Sequence, residues 1–110
     1  MHVYDAADSV YRIDPTRTDL AREFRANVRG PHGEELRRVL HRMRTTALRG
    51  RYCAIVREPF ASWVIGRLSG VRGEPPQEFE DRVFTDLDEL EWEVFRLRWK
   101  QLTGEELDLE

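Results

Sequence analysis

The side chains able to do chemistry are few, and they are scattered. His2, His32 and His41 stand in three different segments, and no two of them fall three or four residues apart. A metal site draws on at least three converging His, Cys, Asp or Glu ligands, and no spacing here supplies them. Cys53 is the only cysteine, so no internal disulfide forms. It sits in the apolar run Tyr52–Val56, where a buried, inert thiol is expected. A nucleophile would need a neighbouring base and an electropositive, partly open setting. Asp86/Asp88 and Glu89/Glu93 have spacings that suit paired acid–base work, but 14 acidic residues in 52–110 make such pairs unavoidable, and a solvated face accounts for them. Gly66, Gly70 and Gly73 are spaced too loosely for a phosphate loop. The expected sets of catalytic, cofactor-binding and metal-ligating residues in this chain are therefore empty.

One constellation remains, and it is basic. Arg37, Arg38, Arg42, Arg44, Arg49 and Arg51 form a stripe of the kind that neutralises phosphates. Base stacking would want exposed aromatic rings beside it, and only His41 and Tyr52 lie close. A solvated or partner-facing stripe is the first reading, and a nucleic-acid face the second. The net charge of −3 divides unevenly, with +4 in residues 1–51 and −7 in residues 52–110. Such asymmetry suits contacts with differently charged partner surfaces.

The element that must position everything else is the stretch from Thr85 to Leu102. Thr85 is the expected N-cap, accepting from the Asp88 N–H. Asp86, Asp88 and Glu89 place negative charge at the start, Arg96, Arg98 and Lys100 place positive charge towards the end, and Gly104 is a natural stop. Leu87, Leu90, Val94 and Leu97 make one apolar face. Trp92, Phe95, Trp99 and Leu102 make a second, and Glu91 and Arg98 fall between the two. Two apolar faces are more than an ordinary surface helix carries, so two covers are needed. The first face is expected to pack inside the domain against a helix bearing Phe60, Trp63, Val64 and Leu68. The second is expected to meet another chain, given the aromatic and arginine enrichment of interface cores. The expected partner interface is Trp92, Phe95 and Trp99 with Glu91 and Arg98, joined by Tyr4 and Tyr11 of the N-terminal arm.

The remaining chain reads as one domain of α+β class, mostly helical, with about four helices and a small two-stranded sheet element. Residues 1–15 are an arm with apolar residues in no clean period, expected to order on a partner. Residues 16–104 are the domain, and 105–110 an acidic, frayed tail. Thr16 or Thr18 caps a helix reaching about Arg29, and a second helix runs from Gly33 to Leu48. Tyr52–Val56 is a strand, Pro59 opens a third helix that ends at Ser69-Gly70, and Phe79–Phe84 is a second strand. No run of apolar residues is long enough to span a membrane, and the N-terminus has no secretory pattern, so the expected location is the cytoplasm.

Gly50-Arg51-Tyr52, the apolar strand, Glu58, Trp63, the Gly- and Pro-containing loop ending at Pro76, then Phe84, Val94-Phe95 and Arg98 form a recognisable order. Over residues 49–102 it resembles the small (alpha) subunit of N,N-dimethylformamidase. That resemblance implies a Trp-bearing helix at Trp63 and a non-catalytic small subunit of a heteromeric amidohydrolase. It also implies a larger catalytic partner that carries a mononuclear iron site on Tyr and Glu side chains and hydrolyses a small linear amide. No cofactor is expected in this chain. The alternative is a stand-alone interaction or regulatory module, binding nucleic acid through the Arg37–Arg51 stripe. A subunit should be poorly soluble alone and copurify with a larger chain; a nucleic-acid module should bind with steep salt dependence.

Overall fold

The computed structural model describes residues 11–46 and 49–109. In chain order these form α1 (Thr18–Ala26), α2 (Glu34–Arg44), β1 (Tyr52–Glu58), β2 (Ser62–Arg67), β3 (Gln77–Phe84) and α3 (Leu87–Thr103). The α+β class holds. The count of elements does not: among the described residues there are three helices and a three-stranded antiparallel sheet ordered β1-β2-β3, in place of about four helices and two strands.

The difference lies in residues 59–68. Phe60, Trp63, Val64 and Leu68 match a helical period, but Trp63, Val64 and Ile65 also form an aromatic and β-branched run that suits a pleated surface. Read at period two, Trp63 and Ile65 point to one side and Val64 and Gly66 to the other. The strand wins, and the Trp-bearing helix implied by the resemblance is strand β2. Pro59 lies in the turn of a hairpin, closed by the Ala61 N–H donating to the Glu58 carbonyl at 2.9 Å. Gly66, paired with Cys53, leaves room for Ile55; a Cβ there would overlap Ile55 Cδ1. On the other edge, Ile65 pairs with Phe79 and Trp63 with Phe84, and the ladder is irregular between those pairs. That break lets Phe79 and Phe84, five residues apart, both pack on the same side.

The long helix is present, with one correction at its start. Asp86, not Thr85, is the N-cap, and its carboxylate accepts from the Asp88 N–H at 2.9 Å. Gly104 ends the helix at φ 77° as expected, its N–H donating to the Lys100 carbonyl at 2.8 Å. Neither Thr16 nor Thr18 caps α1. Instead the Asp14 carboxylate accepts from the Thr16 N–H and hydroxyl at 2.9 and 2.7 Å, closing the turn ahead of the helix. α1 and α2 stop at Ala26 and Arg44, short of Arg29 and Leu48. Leu48 itself lies outside the described residues.

Helix α3 stands between two hydrophobic clusters. Leu90 and Val94 face the sheet with Ile65 and Phe84, flanked by Tyr52, Trp63, Phe79, Leu87 and Leu97. Trp92, Phe95 and Trp99 face α1 and α2, where Leu20, Phe24, Leu36, Val39 and Met43 meet them. Ile13 and Leu107 complete this second cluster from either end of the chain. The segment 105–109 thus folds back instead of fraying: Leu107 is buried, Leu109 packs against the cluster, and the Leu107 carbonyl accepts from the Arg96 guanidinium at 3.2 Å.

Candidate partner interface

The aromatic face of α3 shows how the chain disposes of its apolar surface. Trp92, Phe95 and Trp99 follow one another along the helix at three- and four-residue spacing, so their rings stack in a column. The centroids lie 5.7 Å apart from Trp92 to Phe95 and 5.8 Å from Phe95 to Trp99. Phe24 of α1 lies on Phe95 at 4.5 Å, nearly parallel. The Arg25 guanidinium covers Trp92, 5.6 Å from the ring centroid, while reaching Glu89 at 2.8 Å. The three side chains are 3, 2 and 1 % exposed. The face expected to meet a partner is therefore covered from within, by α1, α2, Ile13 and Leu107. Tyr11 packs against the same cluster, half-buried, and Tyr4 lies outside the described residues.

Glu91 and Arg98 do fall between the two faces, both half-buried. Arg98 finds its partner at home: Nε and Nη2 donate to the Tyr52 carbonyl at 3.2 and 2.8 Å, tying the long helix to the first residue of β1. Burial pushes the Arg98 pKa down, and the Glu91 carboxylate opposes that shift. Cys53 follows in the same strand, half-buried and without a disulfide partner. Burial raises its thiol pKa against the pull of Arg98 and Arg51, so at neutral pH it stays protonated and a poor nucleophile.

The basic stripe divides in two. Arg38 pairs with Glu34 at 2.9 Å, and Arg51 donates to the Arg44 carbonyl. Arg37 and Arg44 make no ion pair among the described residues. Together with Arg98 they line a cleft of about 880 Å³ between α2 and α3. Sequence reading missed a second feature, the tip of the β1–β2 hairpin. There Phe60 is 98 % exposed and held at φ 61°, with exposed Val56 and Val83 at the same end of the sheet. The signal was present in Pro59-Phe60-Ala61 as a turn, but the helical period of the neighbouring apolar residues masked it.

Among the described residues, no group of three or more His, Cys, Asp or Glu stands together to hold a metal ion. No described helix is long and apolar enough to cross a membrane. The molecule is a helix-centred α+β domain, with α3 packed between the helical pair and the sheet. The chain belongs to the N,N-dimethylformamidase alpha subunit family, which it matches over residues 3–108. That match reaches well beyond residues 49–102, taking in the helical pair and the returning tail. No curated protein sequence matches the chain.

Proposed function

We propose that this chain is the non-catalytic small subunit of a heteromeric amidohydrolase, and that it stabilises a larger, iron-dependent subunit that hydrolyses a small linear amide. The observation that carries the reading is the family match over residues 3–108, and an alpha subunit implies a second kind of chain. The placement of the chain's own reactive groups supports it: Cys53 is held protonated in a strand, and the paired acids of α3 are spent on ion pairs such as Arg25–Glu89 and Arg29–Asp88. In this reading iron resides in the partner, no residue of this chain touches the substrate, and the complex works in the cytoplasm.

Co-expression with the large subunit tests this. The expected result is a stable complex that hydrolyses N,N-dimethylformamide, with iron retained by the large chain after the two are separated. The small chain alone should show no activity, and the large chain alone should lose solubility or thermal stability. Hydrolysis by the purified small chain, abolished by one side-chain substitution, would overturn the reading.

A further inference from the structure

The cleft between α2 and α3 has an apolar floor and a basic wall. Arg37, His41 and Arg44 recur at four- and three-residue spacing, so they share one face of α2. Val28 and Leu87, both half-buried, are apolar residues lining the same cleft, and Arg98 and Glu91 stand on the opposite wall. The cations are poorly balanced. Arg29 is matched by Asp88 at 3.0 Å, but Arg37 and Arg44 meet no carboxylate among the described residues. Arg98 donates to a carbonyl, which satisfies hydrogen bonds without neutralising charge. Three arginines thus face one carboxylate, Glu91, across apolar ground.

We propose that this cleft seats an acidic segment of the large subunit, one that alternates carboxylates with apolar side chains; the proposal rests on the subunit reading above. The carboxylates pair with Arg37 and Arg44, and the apolar side chains lie against Val28 and Leu87. This chain's own acidic tail does not take the place, because Leu107 is held in the aromatic cluster and Glu106 lies 3.8 Å from Lys100. A nucleic acid fits less well. The rings that line the cleft, Phe24 and Phe95, are buried in the core and present no open face for a base.

The test is charge reversal in the co-expressed complex. Arg37→Glu/Arg44→Glu should weaken association with the large subunit by roughly tenfold or more at physiological salt, since like charges then face each other. Arg72→Glu, in the exposed β2–β3 loop, should change it little. Both variants should keep the wild-type thermal midpoint as isolated chains, which separates loss of docking from loss of fold. Association of wild type should also weaken as salt rises. Unchanged association of the double variant, beside a wild-type complex that forms, would overturn the cleft proposal and leave the subunit reading standing. A wild-type chain that fails to assemble with the large subunit would overturn both. Binding of a fluorescent single-stranded DNA probe that the double variant loses, with assembly intact, would overturn the proposal in favour of a polyanion site.

Discussion

The two sides of α3 solve the same packing problem with different materials. Towards the helical pair, Trp92, Phe95, Trp99 and Phe24 make a column of rings sealed by aliphatic residues of α1 and α2. Towards the sheet, Leu90 and Val94 press on a smaller set built from Ile65 and Phe84, rimmed by half-buried side chains. The aromatic side is closed, while the sheet side thins out into a hairpin whose tip is apolar and wet. The lesson concerns where surplus apolar surface resides. A dense aromatic stripe on the longest helix marks the interior, and the exposed large apolar residues among those described stand on the sheet side, at Val56, Phe60 and Val83 near the hairpin tip and at Val71 in the β2–β3 loop.

Substitutions on the two sides can break or sharpen this contrast. Trp99→Ala should have the largest effect, costing about 3–5 kcal/mol of folding stability in denaturant titrations of the isolated chain, because the ring is fully buried. Leu90→Ala should cost somewhat less, about 2–4 kcal/mol, on the sheet side. If Leu90→Ala proves the more damaging, the sheet cluster is the dominant core and the ranking reverses. Gly66→Ala should cost about 1–3 kcal/mol, since its Cβ overlaps Ile55 Cδ1 and the Ile55 side chain must leave its place over the strand. Asp86→Ala removes the N-cap that serves both sides equally, and should lower stability by about 1 kcal/mol. Phe60→Gly should have the smallest effect and the opposite sign. It relieves a left-handed residue at φ 61° and removes no buried contact, so the thermal midpoint should hold or rise by the equivalent of about 1 kcal/mol or less. A marked loss of stability in that variant would show that the hairpin tip belongs to the sheet core after all.

Much of this architecture was legible in the sequence, for reasons that can be named. The long helix declared itself through length, the charge gradient from Asp86 to Lys100, and Gly104. Its two faces followed from helical geometry alone, and the residues on each are those found in the two clusters. The β2 strand was hidden because Pro59 suits a helix start and a hairpin turn equally well, and because Phe60, Trp63, Val64 and Leu68 fit a helical period by coincidence. The cover over the aromatic face was hidden for another reason. Periodicity finds amphipathic elements, but Ile13 and Leu107 are single apolar residues in irregular segments, and no pattern announces which surface such a residue will seal. Without them the aromatic face looked unprovided for. The cleft was half visible: the stripe from Arg37 to Arg44 could be read, whereas telling which of its arginines meet a carboxylate among the described residues required the ion pairs themselves.

The sharing of one helix between two clusters also sets how the molecule opens. Over residues 90–99, side chains of both clusters interleave along the same backbone: Leu90 and Val94 for one, Trp92, Phe95 and Trp99 for the other. Fraying of the sheet exposes the flank of that backbone but cannot unwind it while the ring column holds, and the reverse is equally true. The two halves are thus locked into one cooperative unit. Amide hydrogens of α3 should exchange only through global opening, while those around the β1–β2 turn exchange by local fluctuation, and the whole domain should melt in a single calorimetric transition.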